Sequence, residues 1–146
     1  DTNIANILQV GLRDVGHRER ALAEREGRLR WLTDAEIRRR THRGEPMSEI
    51  LMDGLQHLPE TLWISFDVDG LDPSLCPGTG TPVPGGLSWH EAISLLELVA
   101  STGRRVVGFD LCEVGTSPWD ANVGARLLYT LCGLALMSQG DQDERS

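Results

Sequence analysis

Apolar residues come along this chain in short runs separated by longer amphipathic stretches, the rhythm of strands alternating with helices. Residues 7–12, ILQVGL, make a first branched apolar run that reads as a buried strand, and Arg13 and Asp14 open the loop after it. A helix is expected over 17–26 and a short strand over 28–32. Thr33-Asp34-Ala35-Glu36 then has the spacing of a capping box that starts another helix. A further helix over 47–58 stops at Pro59.

Residues 62–68, LWISFDV, are the strongest strand in the sequence. Their nearly continuous apolar character predicts a strand covered on both faces. From Gly70 to Gly86 glycine and proline are frequent and no period persists, so a long structured loop is expected, of the kind that commonly carries function. Ser88-Trp89-His90-Glu91 is a second capping box, opening a helix with Ala92, Leu95, Leu96, Val99 and Ala100 on one face and Gly103 at its end. Residues 105–109, RVVGF, form another buried strand, and 110–120 its loop. A last helix over 121–137 is apolar nearly all round from Leu127, which predicts deep burial, and QGDQDERS at 139–146 reads as a frayed polar tail. Strand and helix in alternation point to an α/β domain with a mainly parallel sheet.

Composition narrows this picture. With 146 residues and 40% hydrophobic residues the chain has the size of one soluble domain, with enough length for a real core. No apolar run approaches the ~20 residues needed to span a bilayer, and DTNIANILQV lacks a basic region followed by an apolar stretch, so membrane and secretory readings are disfavoured. Cys76, Cys112 and Cys132 are odd in number and lack CxxC spacing, which disfavours a disulfide framework and a zinc ribbon and makes the reducing cytoplasm the expected compartment. The net charge of -8 is unevenly spread: residues 1–43 carry ten arginines against seven acids, whereas 44–146 carry four against fifteen. In HRERALAEREGRLR the arginines alternate with Glu and Ala, the pattern of a salt-bridged exposed helix. The acidic remainder argues against nucleic acid and leaves room for a cation, either a metal or a charged substrate.

Ligands of open parallel sheets bind beyond the carboxyl ends of the strands, and two strand ends here carry acids: SFDVD at 65–69 and GFDLCE at 108–113. Strand alternation would turn Asp67 and Asp69 the same way, with Phe66 and Val68 packing on the other face. Two carboxylates placed together repel unless a cation or a shared proton relieves them, and a divalent ion such as Mn²⁺ or Mg²⁺ would serve. A bare DxD equally suits acids that cap helices or pair with arginines, and it occurs in nucleotide-sugar transferases and aspartate-nucleophile phosphatases. Leu71 stands where the phosphatase pattern wants Thr or Val.

The whole loop says more than the DxD. SFDVDGLDPSLCPGTGTPVPGG at 65–86 closely resembles the signature of the ureohydrolase superfamily of arginases, agmatinases and related guanidino hydrolases, with Ser65, Asp67, Asp69, Pro73, Pro77, Gly78 and Gly86 at its spacing. LQVGLRD at 8–14 resembles the family's preceding strand, and GFDLCEV at 108–114 its last catalytic strand end. The resemblance implies a three-layer α/β/α sandwich, of which residues 1–140 would be the carboxyl-terminal half, with 141–146 as tail. It implies a binuclear manganese site with Asp67 and Asp69 among its ligands, two metals activating a water for attack on a guanidinium carbon. Glu113 matches the glutamate that grips the substrate guanidinium, a planar cation suited to two carboxylate oxygens, the plainer reading being a capping or surface acid. Thr81 falls on an active-site threonine and is also a natural turn residue.

His17, His42, His57 and His90 lack ligand-like spacing and read as surface residues. Cys76 and Cys112 are expected as buried thiols, and Trp119 as packed under the last loop.

Two departures from the family pattern stand out. The remaining metal ligands of the family come from a histidine in a Gly-Gly-Asp-His segment and from an Asp-Ala-His-x-Asp segment, and the sequence contains neither. Two carboxylates cannot complete two coordination shells, so activity is expected only with a missing amino-terminal half or a partner chain. Gly16 stands where arginase places an aspartate for the substrate's α-amino group, whereas Glu19 retains the neighbouring glutamate, and GTSPWD after Glu113's strand differs from arginase's tighter turn. An agmatine-like guanidino substrate is therefore expected over arginine. A non-catalytic ureohydrolase-like subunit is the alternative, and a DxD metal-nucleotide transferase a more distant one. Family members usually form trimers or hexamers, so the resemblance implies a homo-oligomer.

Overall fold

The computed structural model describes residues 4–143, with side chains through residue 139. The chain divides into two compact units, residues 1–59 and 60–146. In both, the strands pair in parallel, as strand-helix alternation requires.

In the first unit, β1 (Ile7–Val10) runs into α1 (His17–Arg25) and then β2 (Leu29–Leu32), which pairs beside β1 with Ile7 opposite Leu29. α2 (Asp34–His42) starts where the capping box places it, the Thr33 hydroxyl accepting the Glu36 amide at 3.2 Å. α3 (Met47–Leu55) stops earlier than the 47–58 expected. Leu32, Ile37, Ile50, Leu51 and Leu55 are buried and form the unit's core. On its surface Asp53 accepts from Arg30 at 2.7 Å and from Arg40, which also pairs with Glu45. The Glu45 carboxylate, then that of Asp53, raises the Arg40 pKa above its ordinary value.

The second unit contains β3 (Thr61–Asp67), α4 (Trp89–Ser101), β4 (Arg105–Cys112) and α5 (Pro118–Asp143). The capping box at Ser88 is complete: Ser88 Oγ accepts the Glu91 amide and Glu91 Oε2 accepts the Ser88 amide. α4 and α5 pack together and α5 packs on β4, burying Ala92, Leu96, Val99, Val106, Val123, Leu127, Leu131 and Leu134. The far part of α5 is tied to β4 by polar side chains, Ser138 Oγ accepting the Val106 amide and Gln139 donating to the Val106 carbonyl at 2.8 Å.

β3 and β4 slip by one residue early in their pairing: Leu62 faces Val106, but Trp63 faces Gly108, leaving Val107 as a bulge. Beyond the bulge Ile64 pairs with Phe109 and Ser65 with Asp110. The exposed indole of Trp63 lies across Gly108 and donates to Asp110 at 2.7 Å.

Several expectations are corrected. β3 is covered on one face only: Leu62 is buried, Trp63 is 64% exposed, and Thr61, Ser65 and Asp67 are also exposed. Trp63 interrupts what is otherwise a period-two pattern, so the run reads as continuously apolar. β4 runs to Cys112, placing Asp110 inside the strand and not in the loop. α5 begins at Pro118, a favoured first helical residue, and continues to Asp143, past the tail boundary expected at 139. Residues 144–146 of that tail lie outside the described residues. α5 is also not buried all round: Val123, Leu127, Leu131 and Leu134 make a single inward stripe, whereas Leu128, Tyr129, Leu136 and Met137 are exposed. Cys76 is buried, but Cys112 is exposed at the end of β4, and Trp119 is 54% exposed. Among the described residues no helix is long and apolar enough to cross a membrane.

Leu131→Ala empties a position with no solvent exposure at the α5 core stripe. It should lower stability by about 2–5 kcal/mol, read as a lower denaturant midpoint in equilibrium unfolding.

Candidate functional site

Asp67, Asp69 and Glu113 of the second unit lie at the carboxyl ends of β3 and β4. β3 ends at Asp67 and the chain turns through a 3-10 helix, Val68–Gly70, so Asp69 is placed by that turn and not by strand alternation. The turn is closed locally: Asp67 Oδ1 accepts the Asp69 amide at 2.8 Å. Val68 is buried beneath it, at 1% exposure, and fixes the turn to the core. Both carboxylates of the sequence motif are therefore presented on one short anchored segment.

Asp69 is oriented from the Gly70–Gly86 loop. Thr79 Oγ1 donates to its Oδ1 and Thr81 Oγ1 to its Oδ2, so the two oxygens of one carboxylate are held by two hydroxyls two residues apart. Thr79 is buried and Thr81 exposed. Gly80, between them, lies under Glu113: a Cβ there would stand 2.5 Å from Glu113 Oε2. Glu113 follows directly on β4 and takes φ 61°, a left-handed backbone unusual for a residue other than glycine. The loop segment 79–81 thus touches Asp69 on one side and Glu113 on the other.

Further along the strand pair, Asp110 accepts from Ser65 Oγ at 2.7 Å, from the Trp63 indole at 2.7 Å and from the Cys112 thiol at 3.2 Å. These donors favour the ionised form, the Ser65 hydroxyl most, then the indole, and hold the Asp110 carboxyl below the usual carboxylate range. The same contact pushes the Cys112 thiol up, the bond to Asp110 being the leading cause. Cys112 is thereby disfavoured as a thiolate nucleophile.

Glu19 belongs to the first unit, where its Oε2 accepts the Gly16 amide at 2.7 Å and caps α1. A Cβ on Gly16 would come 3.1 Å from that oxygen, so an aspartate at 16 would crowd the cap that Glu19 makes. The histidines are exposed, and His57 lies against the Arg30 guanidinium. Among the described residues no group of three or more His, Cys, Asp or Glu side chains is placed to hold a metal. The donors at Asp67 and Asp69 are all oxygen, which fits a hard divalent cation such as Mn²⁺, but they supply only part of a coordination shell.

Neither Thr79 nor Asp120 stands out in the sequence as a site residue, and Asp110 stands there only as one acid of a strand end. Thr79 shares the Thr-x-Thr spacing with Thr81. Asp110 lies inside β4, just past the 105–109 expected for the strand, and so faces Ser65. Asp120 is announced by Ser-Pro-x-Asp at 117–120, a capping pattern with proline in the first helical position.

Residues 2–136 match the arginase family. Arginase-1 of Oryctolagus cuniculus is 39% identical over 139 residues, covering 92% of this chain and 41% of the rabbit protein. The N(1)-aminopropylagmatine ureohydrolase of Thermus thermophilus is 36% identical over 137 residues, covering 92% of this chain and 43% of that protein. The crystal structure of arginase from Bacillus subtilis superposes with a TM-score of 0.73 at 27% identity, covering 86% of this chain and 44% of that one. The chain thus spans about two fifths of the length of these relatives. With the DxD turn, its threonine-bearing loop and the matched α/β fold in hand, the chain belongs to the arginase family.

Proposed function

We propose that this chain supplies the carboxyl-terminal part of a manganese-dependent ureohydrolase site that cleaves a guanidino compound to urea and an amine, agmatine-like substrates being preferred over arginine. The observation that carries the reading is the double contact of loop 79–81, which holds Asp69 through Thr79 and Thr81 and lies under Glu113 at Gly80. One segment thereby sets the spacing between an acid suited to metal and an acid suited to a guanidinium.

Asp67 and Asp69 would hold the metal from this chain. When bound, a metal pair supplies a water of lowered pKa against the guanidinium carbon. Glu113 binds and orients the guanidinium, two carboxylate oxygens against the planar N–H edge. Thr79 and Thr81 keep the Asp69 carboxylate from rotating, and Thr81, being exposed, can also meet the substrate. The agmatine preference rests on Gly16, which offers no carboxylate for an α-amino group, while Glu19 beside it is engaged by the Gly16 amide. A small guanidino compound is thus the substrate class. The partner is an amino-terminal half or a second chain carrying the histidine ligands, within a homo-oligomer in the cytoplasm. The lack of a third metal-ligating side chain among the described residues supports, as a second reading, a non-catalytic subunit that keeps the fold for assembly.

The chain by itself should release no urea from agmatine with Mn²⁺. Adding a polypeptide that carries the Gly-Gly-Asp-His and Asp-Ala-His-x-Asp segments should restore release, and Asp67→Asn or Asp69→Asn should weaken Mn²⁺ binding by calorimetry at least about tenfold. Robust hydrolysis by the chain alone would sink the shared-site reading. In the completed enzyme, arginine, agmatine, guanidinobutyrate and formiminoglutamate should rank by kcat/KM with agmatine first, and a clear preference for arginine refutes the substrate assignment. Gly80→Ala places a methyl group 2.5 Å from Glu113 Oε2, the end of a flexible side chain. Its kcat/KM should fall at least about tenfold with little change in Tm.

A further inference from the structure

Asp120 is fully buried, at 0% exposure, at the start of α5. A carboxylate withdrawn from water is strongly disfavoured unless hydrogen bonds satisfy it. Here they come from two different loops: Oδ1 accepts the Gly78 amide at 3.3 Å and Oδ2 the Ser117 amide at 3.3 Å. Asp120 returns its own amide to Ser117 Oγ at 3.0 Å, closing a capping box. Hydrogen bonding from Ser117, most from its side chain, and from the Gly78 amide holds the Asp120 carboxyl below its ordinary value, so it is ionised at neutral pH.

The two loops meet at main-chain distance beside this carboxylate. A Cβ on Gly115 would lie 2.6 Å from Asp120 Oδ2 and 2.6 Å from the Gly78 carbonyl oxygen, so glycine is needed for the approach. Gly115 is two residues after Glu113, and Gly78 two residues before Gly80. Glu113 itself sits at φ 61°, a conformation that persists in such a residue only when its surroundings enforce it. What encloses Glu113 is a short turn pinned at Gly115 and Ser117 on one end and the β4 ladder on the other.

We propose that Asp120 is the positioning residue for Glu113: by accepting from Gly78 and Ser117 together, it locks turn 113–117 against loop 78–81 and keeps Glu113 left-handed with its carboxylate over Gly80. The carboxylate does not itself meet substrate. Its part in guanidinium recognition rests on the reading of Glu113 given above, whereas its part in the loop geometry does not.

The test uses the isotopically labelled chain in solution. In Asp120→Ala the Gly78 and Ser117 amides should exchange with solvent at least about tenfold faster, and the φ-dependent coupling and carbon shifts of Glu113 should leave their left-handed values. Exchange at Ile64 and Phe109, inside the β3–β4 ladder, should stay unchanged. Asp120→Asn keeps one carbonyl acceptor and turns a donor toward the other amide, so it should restore protection at one of the two amides only. It also carries the test if the alanine variant does not fold. Glu113 couplings identical to wild type in both variants overturn the proposal. Agmatine titration separates the two ideas: it should move the Gly80 amide signal in wild type, and do so at least about tenfold more weakly in Asp120→Ala and in Glu113→Gln. Agmatine shifts that are the same in wild type and Glu113→Gln overturn the guanidinium role of Glu113, while the couplings still decide whether Asp120 sets its backbone.

Discussion

The parallel pairing of β3 with β4 is the constraint on which the site depends. Parallel strands end on the same side, so the residues just beyond Asp67 and just beyond Cys112 must emerge together. That single fact brings a DxD turn and Glu113 to one edge although more than forty residues separate them in the chain. An antiparallel pairing of the same strands would have put these acids at opposite ends. The helices then act as ballast: α5 packs on β4 and α4 on α5, while Trp63, Ser65 and Asp67 stay exposed.

Within that frame, precision comes from hydrogen bonds with small, rigid donors. Thr79 and Thr81 have short side chains with few rotamers, so fixing Asp69 with them costs little conformational entropy. Ser65 does the same for Asp110. Asp69, Asp110 and Asp120 thus each receive neutral donors, those of Asp120 being the Gly78 and Ser117 amides.

Much of this was legible in the sequence, for identifiable reasons. The Ser88 and Thr33 capping patterns located helix starts because their chemistry is local. The motif at 65–86 marks Asp67, Asp69 and Thr81 as candidates because fixed prolines and glycines identify a loop by its turns. What was not legible depends on relations between distant segments. Nothing at 62–68 reveals that Trp63 stands in the solvent row, since an indole over glycine and a hydrogen bond to Asp110 are tertiary facts. Nothing at 121–137 distinguishes the α5 stripe that meets β4 from the residues that face away, because both are apolar. The close approach of Gly78 to Gly115 leaves no trace in either segment alone.

The bulge at Val107 has the effect of a phase change in the strand. Before it, even-numbered positions of β4 point inward, as Val106 does; after it, Phe109 pairs with inward Ile64 and Asp110 with outward Ser65. One inserted residue therefore sets Phe109 opposite Ile64 and Asp110 opposite Ser65. Seen this way, the acid-bearing edge and the hydrophobic core are not independently specified in β4: both hang on the parity of a single exposed valine. Length, more than chemistry, is what evolution must preserve at that position, and a change of side chain there is a far smaller event than a change in count.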